Sequence, residues 1–373
     1  FLLATLAVYL TWCVKKWGTI AGMVCLAFAM GIYQAYATVA IVLVLLYIIR
    51  QFVIEKLDFL EAVRKDLKYL GMLVGGAVLY AVILKITLIR YNITLPGYQG
   101  IGALGIMSLG QYKAALQKTL YHFRLILGME HGVEKHVYSL LNAAALLLIG
   151  LILIYLLVRN QVYKKKMSML ASIAAVCLIP VGAYFINFTS PDVQYYTLME
   201  MAGCLIYLLL IIMLLQLDWK TWISKILKGC GIFVLCGLVY YNVINCNIAY
   251  FNMNLSYHKS ISIAEDVLQR IEQMDEFQNQ HDKVVIMGDY NCATENLQIM
   301  MPSIMGISND SFLNDSYHYT IIWNYCFGVQ MEQASYDEMM EIVETDEYKN
   351  MSVYPLKGCV EYINGIIVVK MQE

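Results

Sequence analysis

Charge is scarce in this chain. Only 14% of the residues are Asp, Glu, Lys or Arg, against 60% hydrophobic, and the mean hydropathy is +0.60. A soluble domain of this size does not carry that balance, which assigns the chain to the integral membrane proteins. A basic surplus is missing too: 26 Lys and Arg face 28 Asp and Glu, a net charge of −2, which argues against a nucleic-acid partner. The ten cysteines show no CxxC or CxxH spacing. Cys13, Cys25, Cys177, Cys204, Cys230 and Cys236 fall in apolar runs and read as small buried hydrophobes. Cys292, Cys326 and Cys359 lie in the polar C-terminal part, an odd number that argues against a disulfide framework. No HExxH occurs, and His131 and His136 stand five apart, unlike an i, i+4 helical metal pair. No metal and no other cofactor is expected. The start has no initiator Met, no basic n-region and no cleavage site. Phe1 therefore reads as a point inside a longer chain, not as the head of a signal peptide.

What is present is a series of apolar runs closed by cations. Phe1–Cys13 ends at Lys15 and Lys16, and the run from Gly18 to Ile49 has no charge and closes at Arg50. A membrane helix needs about 20 apolar residues, so the second run is too long for one helix and short for two. Its polar cluster Tyr33, Gln34, Tyr36 marks the expected turn of a tight hairpin. Residues 51–69 have apolar Phe52, Leu57, Leu60, Val63 and Leu67 at helical spacing among charges, which predicts an amphipathic helix at the membrane surface. Further spans are expected at 70–89, 138–158, 169–185, 195–217 and 229–250, with a long outer loop at 91–137.

Lys and Arg near span ends stay cytoplasmic. With Lys164, Lys165 and Lys166 inside, residues 50–68 and 220–228 fall inside as well. Residues 91–137 and 187–194, and everything after the last span, fall outside. Lys15 and Lys16 join the inner side only if 18–49 goes out and returns, with its turn near the outer face. Residues 251–373 read as a small extracytoplasmic α/β domain: a helix over 256–279, a buried strand Val284–Met287, and a hairpin closing through Asn364-Gly365 between apolar strands. The architecture is thus membrane all-α, a polytopic transmembrane helix bundle over 1–250 with that domain attached.

Four sets of residues invite a functional reading. Tyr33, Gln34 and Tyr36 suit a sugar-facing wall, because aromatic rings stack on sugar faces and an amide bonds two hydroxyls at once; interfacial anchoring is the plainer account. Lys85 and Arg90 flank the outer end of a span and, five residues apart, share a broad helical sector that could hold a lipid phosphate; snorkelling to the headgroups is the alternative. Tyr98 and Gln99, with Tyr91 and Asn92, crowd the start of the outer loop, where a substrate lid or acceptor groove competes with an ordinary ordered loop. Glu130, Glu134, Asp192 and Asp289 are carboxylates without a visible partner, and turn chemistry explains Asp192 and Asp289 better.

Gly31–Leu46 (GIYQAYATVAIVLVLL) before a charged helix, Leu84–Leu88 (LKITL) before a loop bearing Tyr98–Gly105 (YQGIGALG), and the terminal run from Tyr354-Pro355 through Asn364-Gly365 to Val369-Lys370 together resemble the Gtr type II membrane glucosyltransferases of bacteria. The resemblance covers nearly the whole chain. It implies a GT-C-like enzyme of the cell membrane. Such an enzyme moves a sugar, typically glucose, from an undecaprenyl-phosphate carrier to a cell-surface glycan on the outer face. The partners implied are the lipid bilayer, the polyprenyl-phosphate-sugar donor and the glycan acceptor. Catalytic carboxylates are expected upstream of Phe1. Tyr33, Gln34 and Tyr36 would line the cavity, and Lys85 and Arg90 would hold the leaving phosphate. A polysaccharide flippase or assembly protein without catalysis is the alternative.

Overall fold

The computed structural model describes residues 1–94, 107–127, 135–190, 193, 197–277, 282–288, 313 and 315–372. They fall into two compact units that meet in sequence between Tyr240 and Tyr241.

The first unit is a helical bundle. Helices α1 (Leu2–Cys13) and α2 (Gly18–Ile32) are followed by α3 (Tyr36–Val53). The uncharged run is therefore two helices with a break at Tyr33–Ala35, where Tyr33 is extended (φ −159°). The break is a reversal. The Trp12 ring at the end of α1 lies 6.1 Å from Tyr47 near the end of α3, and the Arg50 guanidinium lies 5.4 Å over Trp12. The last residues of α1 and α3 thus share one end with the start of α2.

Helix α4 (Phe59–Tyr91) runs parallel to α2, in register through glycines: Gly22 meets Met72, and Gly76 meets Leu26. A Cβ on Gly76 would come within 2.9 Å of a Leu26 methyl. Small residues let helices approach closely in lipid, where no hydrophobic drive separates helix from solvent. The 51–69 helix expected from sequence does not form as one unit. Its first residues finish α3, Ile54–Asp58 turn the chain with Lys56 left-handed (φ 59°), and the rest is continuous with the following span in the 33-residue α4. The turn is tied by its neighbours: Asn160 Nδ2 donates to the Val53 carbonyl (2.7 Å) and Lys165 Nζ reaches Asp58 (2.8 Å). Nothing between Leu67 and Leu73 can stop a helix once started, since a single Gly71 costs only about 1 kcal/mol.

Then come α5 (Leu109–Leu127), α6 (Lys135–Arg159), α7 (Lys166–Cys177), α8 (Ile179–Ala183), 3₁₀ turns at Phe185–Phe188 and Thr197–Ala202, α9 (Leu205–Leu215) and α10 (Trp222–Glu272). Two expected spans are shorter than read. The one at 169–185 breaks before Pro180, whose ring and missing N–H interrupt a helix. The one at 195–217 opens as a 3₁₀ turn, and only 11 residues form α9. Conversely, the expected span 229–250 and helix 256–279 are one 51-residue helix, α10, with no proline to divide them. Four helices among the described residues are long and apolar enough to cross a membrane: α3, α4, α6 and α10. Most cysteines of the apolar runs are exposed, on the outward faces of helices and not in the core.

The second unit is a small α/β fold. Strands β1 (Lys283–Met287), β2 (Glu332–Gln333), β3 (Val360–Ile363) and β4 (Ile366–Lys370) make one sheet in the order β2-β1-β4-β3. The β1 strand is parallel to both neighbours, and β3–β4 is a hairpin whose Asn364 and Gly365 both take positive φ (50° and 83°), as a tight primed turn requires. Alternate residues face opposite layers. Val284, Ile286, Ile367 and Val369 pack against Ala264, Val267 and Ile271 of α10 and against α11 (Ser316–Ile322). Val285, Met287, Ile366 and Val368 pack on the side of α12 (Tyr336–Val343) and α13 (Asp346–Asn350). The whole is a membrane all-α bundle with a small α/β region.

Candidate functional site

The break between α2 and α3 stands inside the bundle. Gln34 Nε2 donates to Tyr80 Oη at 2.7 Å. Tyr80 lies ten residues from both Leu70 and Arg90, about 15 Å along α4 in each direction. The apolar stretch of α4 is about 30 Å long, and the register Gly22–Met72 and Leu26–Gly76 carries the end of α2, Ile32, to the level of Val82, so the hairpin tip lies in the second half of that stretch, short of Arg90. The reason is length: α2 has 15 residues, about 22 Å, too short to reach across a hydrocarbon layer of about 30 Å. Polar backbone at that depth has to be satisfied within the protein, and at the tip the carbonyls of Tyr33, Gln34 and Ala35 all accept hydrogen bonds. Tyr36 N–H bonds the Tyr33 carbonyl, Ala37 N–H the Gln34 carbonyl, and both Thr38 N–H and Oγ1 bond the Ala35 carbonyl.

Beside this tip lies a cavity of about 480 Å³. Its walls come from α2 (Leu26, Met30), α3 (Ala37, Ile41), α4 (Leu73, Val74, Ala77) and the turn at Phe185–Phe188. The lining is apolar apart from Gln34, Thr38, Tyr80 and Thr189. Thr38 and Thr189 hydroxyls are turned onto local carbonyls, Ala35 and Ile186. The Gln34–Tyr80 pair is therefore its polar edge.

Of the residues singled out from sequence, Gln34 lines this cavity. Tyr33 and Tyr36 are half-buried beside it, edge to face at 5.5 Å and 75°. Lys85 and Arg90 are exposed on the far part of α4, and neither makes a hydrogen bond or ion pair among the described residues. They do not share a sector: five residues turn a helix by about 140°. Lys85 departs about a quarter-turn from the cavity-lining stripe of α4, and Arg90 more than a third of a turn. Tyr98, Gln99, Glu130, His131, Glu134, Asp192 and Asp289 lie outside the described residues. Sequence reasoning passed over Tyr80. Its signal was available, a lone aromatic hydroxyl in the middle of an apolar span.

Part of the loop expected at 91–137 is helix α5, which packs on the segment that walls the cavity. Tyr184 Oη donates to the His122 carbonyl (3.1 Å), the two rings stack at 5.9 Å, and Asn187 Nδ2 reaches Thr119 Oγ1 (3.2 Å). Lys118 Nζ donates to the Val193 carbonyl. Burial holds the Lys118 ammonium and the His122 imidazolium below their ordinary values, and Lys118 adds to the effect on His122.

A family model described as glucosyl transferase GtrII matches residues 1–199. The chain belongs to the GtrII glucosyltransferase family. The matched residues include every wall of the cavity, the hairpin tip and helix α5. No curated protein and no solved structure matches the chain. Membership in the GtrII family makes glucosyl transfer the activity to be explained, and within the matched part the Gln34–Tyr80 cavity, larger than the one of about 320 Å³ beside Asp66, combines an apolar chamber with a polar edge.

Proposed function

We propose that the chain transfers glucose from a polyprenyl-phosphate carrier to a cell-surface glycan on the outer face of the cell membrane. The observation that carries this is the chamber of about 480 Å³, apolar on its walls and polar at the Gln34–Tyr80 edge. A prenyl chain needs apolar walls, and its sugar-phosphate head needs a polar rim within reach. Lys85 stands about 7.5 Å further along α4 than Tyr80. It is the cation assigned to the lipid phosphate, and Arg90, another turn and a half on, sits at headgroup depth as a secondary contact. Gln34, Tyr33 and Tyr36 face the sugar. Tyr98 and Gln99 are assigned to the acceptor side.

In the reaction, an acceptor hydroxyl attacks the anomeric carbon as the bond to the phosphate oxygen breaks. The proton passes to a general base and the lipid phosphate leaves with the electron pair. Lys85 is assigned to stabilise the charge that develops on that phosphate, the point at which a cation lowers the barrier most.

Orientation follows from charge. The end of the bundle that carries Lys15, Arg50, Lys65, Arg159 and Lys165 is placed in the cytoplasm. The other end of α4, with Lys85 and Arg90, then faces outward, and the α/β unit is extracytoplasmic. The test uses the chain in nanodiscs with radiolabelled polyprenyl-phosphate-glucose and an acceptor glycan. Loss of transfer in Gln34→Ala and Lys85→Ala at unchanged membrane level supports the reading. Full transfer in both sinks it.

A further inference from the structure

Helix α11 does not end as an α-helix. It passes into a π-helical turn at Trp323–Phe327, where Gly328 (φ 72°) and Val329 both direct their N–H groups at the Trp323 carbonyl. Such turns cost regular hydrogen bonding and recur at functional sites. Here the turn is pinned from inside. Trp323 is fully buried and its Nε1 donates to the Ala264 carbonyl of α10 at 2.8 Å. The next two residues are thrown outward: Asn324 is exposed, and Tyr325 is 83% exposed.

These two continue a row on the surface. Tyr317 (56% exposed), Thr320 and Asn324 recur at helical spacing along one face of α11 and the turn, over about 10 Å. The edge strand β2 and the residues before it add amides to that row. Gln333 Nε2 donates to Thr320 Oγ1 (3.1 Å), and Gln330 Nε2 to Asn324 Oδ1 (3.4 Å). An amide–hydroxyl pair and an amide–amide pair thus lie between two exposed tyrosines. Each amide offers a carbonyl and two N–H donors, so every pair keeps bonding capacity toward solvent.

The charge around the row decides what it can bind. Residues 313–336 contain no Lys and no Arg. Asp315 is engaged as the cap of α11 and by His318 Nδ1 at 2.7 Å. A phosphate, an anionic headgroup or a nucleic acid needs cations in such a place. A sugar needs the reverse: aromatic faces for its C–H side, and uncharged donors and acceptors for its hydroxyls. Tyr supplies the first at low cost in side-chain entropy, and Asn and Gln supply the second.

We propose that the Tyr317–Tyr325 face of the α/β unit is a binding surface for a neutral oligosaccharide. That this oligosaccharide is the acceptor of the transfer reaction rests on the function proposed above; that it is a neutral glycan rests on the surface alone.

The test takes the full chain in nanodiscs, without donor, against an immobilised panel of short neutral hexose and N-acetylhexosamine oligosaccharides, with dextran sulfate as the anionic probe. At least one neutral oligosaccharide is expected to bind. The double variant Tyr317→Ala/Tyr325→Ala should weaken it about tenfold or more, the scale of two lost aromatic contacts. Tyr336→Ala, an exposed tyrosine on the opposite layer of the sheet, should leave it unchanged. No neutral binder on the panel, a preference for dextran sulfate, or equal weakening by Tyr336→Ala overturns the proposal. With acceptor, the double variant is expected to raise KM and spare kcat. Gln34→Ala separates the two readings, since it should abolish transfer and leave oligosaccharide binding intact.

Discussion

The two ends of the α2–α4 bundle are built from different chemistry. At one end, Arg50 pairs with Glu55 (3.3 Å), Lys65 with Glu61 (2.8 Å), Lys165 with Asp58 (2.8 Å) and Arg159 with Asp218 (3.7 Å), all partly exposed. At the hairpin tip there is no ion pair among the described residues, only an amide on a phenol, Gln34 on Tyr80, and hydroxyls folded onto carbonyls. Exposed ion pairs contribute little to stability, typically 0–1 kcal/mol. Charge at the first end therefore serves mainly to tie connections and to set orientation. At the tip, an uncharged polar edge beside an apolar chamber suits the lipid-linked sugar proposed above, with Lys85 assigned to its phosphate.

If that division is right, substitutions at the two ends differ in kind. Lys85→Ala should have the largest effect, a loss of transfer on the order of 10²–10³ in rate with the protein still inserted, as when a transition-state contact is removed. Lys85→Arg should recover part of it. Equal losses from Lys85→Ala and Arg90→Ala in the nanodisc assay would put the phosphate elsewhere, because the two side chains leave α4 about 140° apart. Tyr80→Phe should lower transfer by about tenfold, the worth of one hydrogen bond that positions the Gln34 amide. An unchanged rate would show that the Gln34–Tyr80 edge is structural.

At the charged end the expected effects are on stability and are small. Asp58→Asn should cost at most about 1 kcal/mol, read as a thermal shift in detergent, with transfer unaffected. A collapse of activity would mean that this end takes part in the chemistry. The weakest effect is expected from an ion pair in the α/β unit. Glu338 is bonded by Lys283 Nζ at 2.6 Å and by the Ser335 N–H, and these hold its carboxyl down from 4.5 to about 2. A carboxyl held below its unfolded value stabilises the fold above pH 4.5, and that contribution is lost as pH falls from 4.5 to about 2. In Lys283→Met this part of the acid dependence should flatten, followed through Trp323 fluorescence. An unaltered acid profile would show that the pair is screened.

Much of this architecture was legible because it rests on local rules. Four runs long enough to cross a membrane, the reversal between Gly18 and Ile49, strand β1 and the Asn364-Gly365 turn all follow from length, charge spacing and turn chemistry. Boundaries were harder. The joint of α4 at Leu67–Leu73 and the continuity of α10 past Tyr250 carry no local marker, because a change from charged to apolar residues does not stop a helix. The break at Pro180 did carry one. In the site, Gln34 was visible as a polar residue where the run had to turn. Tyr80 carried a signal, a lone aromatic hydroxyl in an apolar span, but its pairing with Gln34 depends on α2 and α4 running in parallel.

The residues by themselves determined a membrane protein, its charged end, the place of the hairpin tip in the chain and a family likeness. Composition and cation spacing act along the chain and need no partner. Only the tertiary structure decided the depth of the tip, the volume beside it, the separation of Lys85 from Arg90, and the meeting of Gln330 and Gln333 with α11. Each depends on which helix lies next to which, and the close approach of α2 to α4 through Gly22, Gly75 and Gly76 is set by packing that no single segment encodes.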